Sequence, residues 1–330
     1  MEAERRIEHE RTIMDPNVEI LTVRWNPDDS HIASACSDGT VKIYSSVSGS
    51  FIRTLNCRVG TGPVPITGIR WRPSASFGKT KNILIALTVE GTIMHWHATS
   101  GKTLNTIKLD CQTLSLDYDY EGKRFAVGCS DMNIRIYDES TKEVISNLVP
   151  GMGELLGHVN RIHSVKFLSD NMIVSGGWDN NILLWDIRSG AVARGMYGPQ
   201  IAGDSIDSTS NLILTGGYQI SDQLQLWRVD DASLAYSETL RSSERACMVY
   251  SAQFSKHDCG AIFALGGAGC DEAYFYETAS RRRFAVLNNL VKPIYSIDFA
   301  NYSNRVAVGS GDGSLRMLSV LEPTVVDQEI

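Results

Sequence analysis

Residues Gly157 to Arg188 read GHVNRIHSVKFLSDNMIVSGGWDNNILLWDIR. Apolar and polar residues alternate from Ile162 to Phe167, pause at Leu168-Ser169-Asp170, and alternate again to Gly177. After Asp179-Asn180 a third segment closes on Trp185-Asp186. Period-two alternation of Ile, Val, Leu and Phe marks strands buried on one face, and Asp179-Asn180 is hairpin-turn chemistry. The stretch is therefore three β-strands in succession.

The pattern recurs. Aligning its closing aromatic along the chain gives Tyr44, Trp96, Tyr137, Trp185, Trp227 and Tyr276, with Leu318 in the same place in the last copy. The spacing between successive anchors runs from 41 to 52 residues, close to the ~40–45 of a four-stranded repeat unit, with insertions in alternate copies. The first copy has Ser34 in its second strand and Asp38-Gly39 as its turn, and the third has Asp131. The second has Glu90 in place of the turn Asp and a polar connection from Ser74 to Asn82. The fifth carries Pro199 and a longer turn, the sixth has Asp271 one place out of register, and the seventh keeps Asp312-Gly313. A Gly- and Pro-containing loop with Met152 and Leu155 separates the third copy from the fourth.

The stretch from Gly157 to Arg188 resembles a WD repeat. That resemblance implies an all-β fold: a seven-bladed β-propeller of four-stranded antiparallel blades, occupying residues 1–322 with 323–330 as a tail. It also implies a hydrogen-bonded chain within the fourth blade through His158, Ser175, Asp179 and Trp185, structural in role. A propeller must close, because an open ring leaves unpaired strand edges. The segment from Arg6 to Met14 is expected to be the outer strand of blade seven, with Thr324 to Ile330 as the competing choice.

A chain of 330 residues with 43% apolar and 21% charged residues has an ordinary globular composition. No apolar run approaches a membrane span, and the opening MEAERRIEHERT is too charged for a signal peptide. A cytoplasmic or nuclear protein is expected. The net charge of −7 gives no electrostatic footprint for nucleic acid. Seven cysteines without a CxxC pair speak against a disulfide framework or a zinc site, and Cys36 and Cys129 are expected to be small buried hydrophobes.

No catalytic constellation stands out. His95 and His97 flank Trp96 on one side of a strand, and two ligands do not make a metal site. The Gly-rich stretches at Gly266 to Gly269 and Gly309 to Gly313 fall at hairpin turns with no following helix to bind phosphate. Arg281-Arg282-Arg283 reads as a solvated outer face. Neither metal nor cofactor is expected.

The resemblance implies an interaction scaffold whose partners are proteins or peptide segments in a multiprotein complex. In a propeller, the connections leading into each first strand share one face with the turns between the second and third strands. On that top face blades four to seven offer Arg161, His163, Trp178, Asp204, Tyr218, Met248, Tyr250 and Tyr295. Blades one to three offer mainly Glu19, Ser37, Thr67, Gln112 and Ser130. Aromatics, Met and Arg are the stuff of interface hot spots, so the partner is expected over blades four to seven. The competing arrangement has Trp178 packing against Tyr218 across neighbouring blades.

The channel-lining position of the first strand reads Leu21, Thr67, Leu114, His163, Asp204, Tyr250 and Tyr295. There His163 and Asp204 could pair, which leaves a channel-mouth hydrolase as the reading from another class. Within the scaffold class, the stretch from Ile173 to Arg188 is similar to the WDxR box of cullin–RING substrate receptors. That likeness implies an adaptor contact at Arg188 on the opposite, bottom face.

Overall fold

The computed structural model describes residues 5–58, 62–73, 82–149 and 157–322. Most of the connection from Ser74 to Asn82, the loop carrying Met152 and Leu155, and the tail 323–330 lie outside the described residues.

Among the described residues there are seven four-stranded antiparallel sheets and no helix. Each sheet is one blade, with strands a to d running outward from the channel. Blade four, for example, consists of Ile162–Ser169, Met172–Gly177, Asn181–Asp186 and Ala191–Tyr197, paired in that order. Its b and c strands pair through Met172↔Asp186 to Gly176↔Ile182, leaving Asp179-Asn180 as the turn. Asn180 takes φ 58°, a left-handed conformation that Asn tolerates and that Gly39 and Gly313 supply in blades one and seven. A two-strand hairpin, Arg241–Ser242 with Arg245–Ala246, sits on the connection between blades five and six.

Burial follows the position of a strand in its blade. The b strand Ile83–Thr88 is buried at every residue, whereas the d strand Phe51–Asn56 is mostly exposed. An inner strand has a neighbouring blade on both faces and so carries a nearly continuous apolar run, as a doubly covered strand should. Each of the seven hydrophobic clusters spans two adjacent blades. One joins Ala33, Val41 and Leu55 to Ile69, Leu84 and Trp96. Another joins Ile20, Val23, Trp25 and Tyr44 to Ala307, Leu315 and Met317, which closes the ring between blades one and seven.

Hydrogen bonds stitch the same seams. Ser296 Oγ accepts the Val23 N–H at 3.0 Å, and Ser251 Oγ accepts that of Ile297 at 3.0 Å. Three carboxylates bind the backbone of the next blade: Asp298 accepts Trp25 N–H at 2.8 Å, Asp117 accepts Phe167 N–H at 3.0 Å, and Asp207 accepts Phe254 N–H at 2.8 Å. These bonds satisfy a-strand donors that have no ladder partner on the channel side.

Blade seven takes its outer strand from the other end of the chain. Arg6–Met14 pairs with Ser314–Leu321 from Arg6↔Leu321 to Met14↔Ser314, with an irregularity between His9 and Arg11. Arg305 reaches across Ser314–Leu321 from the next strand inward, Arg305–Ser310, and holds Glu10 at 2.7 Å. Deleting residues 1 to 14 bares this edge, and differential scanning calorimetry should then show a lower unfolding temperature, with aggregation on heating. An unchanged melting curve would show that blade seven stands without this strand.

A second outcome follows from the seams. Asp298 is 1% exposed and binds both Trp25 N–H and the Lys256 ammonium, the latter at 2.7 Å. Asp298→Ala leaves the buried Trp25 N–H without its acceptor and the more open Lys256 without its carboxylate, so urea unfolding should show a loss of about 1–3 kcal/mol.

Candidate functional site

The channel mouths are built by strand a. In six blades this strand carries a register irregularity near its start, between Ile20 and Thr22, Ile66 and Gly68, Thr113 and Ser115, Ile162 and Ser164, Val249 and Ser251, and Ile294 and Ser296. A bulge re-aims the side chains around it. Residues three apart, which a regular strand would send to opposite faces, can then both face the channel.

At the top end, Leu21, Thr67, Leu114, His163, Asp204, Tyr250 and Tyr295 line one cavity of about 250 Å³. Asp204 reaches across the channel and forms ion pairs with Arg24 and with Arg70, the second at 2.7 Å. Its carboxylate is thus occupied by blades one and two and makes no pair with His163. Burial, with Arg161 adding to it, pushes His163 down to about 4, and its Nε2 has no hydrogen-bond partner. A neutral, unpaired ring of this kind is not poised as half of an acid–base dyad.

The aromatic residues of this face form two groups. The Arg161 guanidinium lies over the Trp178 ring at 5.0 Å, and the His163 ring stacks on Trp178 at 5.3 Å and 21°. Trp178 is nonetheless 40% exposed. Tyr218 packs on Tyr250 at 5.0 Å, and Tyr250 meets Tyr295 edge-on at 5.2 Å. The cross-blade packing of Trp178 on Tyr218 is therefore replaced: each ring takes a nearer partner on its own side. Met248 is partly buried and pairs with Ala268 where strand a meets the b–c turn.

Blades one to three use their small polar residues internally. Ser37 Oγ accepts the Glu19 N–H at 3.0 Å, Ser130 Oγ accepts the Gln112 N–H at 3.1 Å, and Thr67 donates to Thr113 O at 2.7 Å. Loops stitched in this way present little adaptable surface.

The internal chain of blade four is complete. Trp185 Nε1 donates to Ser175 Oγ at 2.8 Å, Ser175 Oγ meets His158 Nε2 at 2.7 Å, and His158 Nδ1 meets Asp179 at 2.8 Å. Burial alone would raise the Asp179 carboxyl, but the His158 ring and the Val159 and Asn181 N–H groups hold it below its usual value. Blade five keeps a fragment, Trp227 Nε1 to Thr215 Oγ1 at 3.1 Å, while Trp96 Nε1 in blade two has no hydrogen-bond partner.

The remaining candidates have local partners. Arg188, on the bottom face, is held by Asp186 two residues away at 3.3 Å. His95 is buried beside Glu139 at 3.3 Å, and His97 bonds Ser100 at 2.7 Å, so the two imidazoles serve different neighbours. Arg281 and Arg283 lie over the rings of Tyr236 and Tyr274 at 5.4 and 5.3 Å. Cys36 and Cys129 are fully buried, whereas Cys259 is exposed. Cys111, Cys129 and Asp131 bring potential ligand atoms within 4.8 Å of one another. The Arg135 guanidinium occupies that spot, binding Asp131 at 2.6 Å and Cys111 Sγ at 3.7 Å, where a cation would have to sit.

A second ring of channel residues has no counterpart in the sequence reading. Arg24, Arg70, Asp117, Lys166, Asp207, Gln253 and Asp298 each follow the buried apolar residue of strand a, one per blade. Arg70 pairs with Asp117 at 3.3 Å, and Lys166 with Asp207 at 3.1 Å. Arg24, wholly buried and facing Arg70, is pushed down to about 9. The available signal was a polar residue at one fixed position of all seven a strands, but simple alternation assigned the channel to other positions.

The comparisons agree with this architecture. A family model described as "WD domain, G-beta repeat" matches residues 152–186 and 286–318. A second, "Anaphase-promoting complex subunit 4 WD40 domain", matches residues 11–74 and 75–168. The chain belongs to the WD-repeat β-propeller family, whose members are in general interaction scaffolds. It is 23% identical to serine-threonine kinase receptor-associated protein of Mus musculus over 304 residues, 92% of this chain and 79% of that one. It is 29% identical to coronin-2A of Homo sapiens over 182 residues, 51% of this chain and 32% of that one. It is 24% identical to U3 small nucleolar RNA-associated protein 21 homolog of Schizosaccharomyces pombe over 166 residues, 50% and 17% of the two chains. The chain thus spans under a third of the length of the last two. No helix among the described residues is long and apolar enough to cross a membrane.

Two measurements check this site. Asp179→Ala leaves His158 and the Val159 N–H without their acceptor, and chemical denaturation should report a loss of about 1–3 kcal/mol. His163 has a folded value depressed to about 4 against ~6.5 in an unfolded chain, so the unfolded state binds more protons between them. Its contribution to stability is whole above pH ~6.5 and falls as the pH drops toward 4. An NMR titration should find the His163 ring neutral at pH 5.5; protonation near pH 6.5 would contradict the burial seen here.

Proposed function

We propose that the scaffold receives its principal partner, a peptide segment or loop of another protein, on the top face over blades four to seven. The observation that carries this reading is the pair of aromatic groups there, Trp178 between Arg161 and His163, and Tyr218 with Tyr250 and Tyr295. Rings already packed on neighbours lose little conformational freedom on binding and present large apolar faces, which suits them as anchors. Trp178 and Tyr250 are the anchors, and Arg161 reads an acidic group on the partner. Val159 and Ile220, 74% and 71% exposed, extend the apolar surface near the d–a and b–c connections. Such a scaffold works in a multiprotein complex in the cytoplasm or nucleus.

The test begins with affinity purification and mass spectrometry to obtain the partner, followed by calorimetric titration of purified variants. Trp178→Ala and Tyr250→Ala should each weaken binding by about 2 kcal/mol or more with the melting temperature unchanged. Full affinity in both variants would move the partner off this face.

A further inference from the structure

The bottom end of the channel opens into a cavity of about 480 Å³, larger than the one at the top. Its inner wall is the polar ring, including Lys166, Gln253 and Asp298, together with Lys256. Its mouth is aromatic, with Trp25, Trp71 and Tyr118 at the wall and Tyr120 and Tyr302 on the rim, 85% and 74% exposed.

The hydrogen-bond inventory of this wall is lopsided. Every ring carboxylate oxygen already receives a donor. Asp298 takes Trp25 N–H and Lys256, Asp207 takes Phe254 N–H and Lys166, and Asp117 takes Phe167 N–H on one oxygen and Arg70 on the other. Donors, by contrast, are left over. Gln253 is 2% exposed and its Nε2, which carries two hydrogens, has no partner. Lys256 has three ammonium hydrogens and one bond, to Asp298. Enclosure by the wall lowers the Lys256 value despite that aspartate, with Arg24 and Lys166 also opposing its charge, while its side chain stays 33% exposed at the mouth and open to an incoming group. A buried amide donor without an acceptor costs free energy that an incoming acceptor would recover.

We propose that the bottom mouth is a second binding site, which takes an acidic side chain of a partner peptide: the carboxylate accepts from Gln253 and Lys256 while flanking apolar residues pack on Tyr120 and Tyr302. The leftover groups are donors, which calls for an acceptor. The exposed aromatic rim calls for apolar neighbours on either side of it, which a free inorganic anion does not have. The site lies at the opposite end of the channel from Trp178 and stands or falls independently of the top face.

The test uses the full chain labelled with ¹⁵N and follows the indole N–H signals of Trp25, Trp71 and Trp178. The probes are acetyl-Phe-Glu-Phe-amide, its Gln counterpart, and inorganic phosphate. The Glu peptide should shift Trp25 and Trp71 saturably and bind at least tenfold more tightly than the Gln peptide. Gln253→Leu should erase that preference, and Tyr120→Ser, a surface change that leaves the fold intact, should weaken the Glu peptide severalfold. Equal binding of the two peptides, or shifts confined to Trp178, would overturn the proposal. Phosphate binding more tightly than the Glu peptide with the same Trp25 and Trp71 shifts would overturn the peptide assignment in favour of a free-anion site.

Discussion

The backbone of each a strand has unpaired polar groups on the side that faces the channel, and the ring can exist only if something satisfies them. Ser and Asp side chains from the preceding blade do so at Val23, Trp25, Phe167, Ile206, Phe254 and Ile297. Putting carboxylates inside a protein is expensive unless they are matched with cations. The matching cations are Arg70, Lys166 and Lys256 on the same wall. The charged interior of the channel is thus a consequence of how the blades are joined, and the ion pairs are there before any ligand is considered.

That origin explains why the two mouths differ. At the top, Asp204 draws Arg24 and Arg70 inward and leaves aromatic rings to form the surface. At the bottom, Lys256 lies beyond the ring and finds one carboxylate, while Gln253 stands where the other six blades place a charge. Gln253 lies between Asp207 and Asp298 in the ring order, and both of those carboxylates already have their own cations. The top mouth is consequently edged by rings packed on one another, and the bottom one keeps bonding capacity to spare behind an aromatic rim.

The sequence carried the fold in its spacing. Seven anchors at intervals near those of a four-stranded repeat demand seven blades, and the alternation around Asp179-Asn180 gives the b–c hairpin directly. The chain through His158, Ser175 and Trp185 was legible because its members sit at fixed positions in the repeat. What stayed hidden depends on geometry that alternation does not encode. Bulges at the start of strand a turn Arg24 and its counterparts toward the channel, so a period-two reading places only Leu21 and its counterparts there. The partner of Trp178 was illegible for a related reason: His163 lies on the same blade, and nothing in one strand says that its ring will tilt toward a turn. Cross-channel pairs such as Arg70 with Asp204, 134 residues apart, leave no local trace at all.

The sharing of blade seven between Arg6–Met14 and Ser314–Leu321 has a kinetic side. Synthesis delivers the first of these strands some 300 residues before its partner, so the closing strand must wait as a detached segment while six blades assemble. The entropy of closing so long a loop grows only with the logarithm of its length, which makes the wait tolerable for stability but slow as a search. A waiting strand is also a template for wrong pairing, and RIEHERTIM is armed against it: Arg6, Glu8, Glu10 and Arg11 make it a poor partner for any apolar edge. Glu10 then serves a second time, binding Arg305 once the ring has closed.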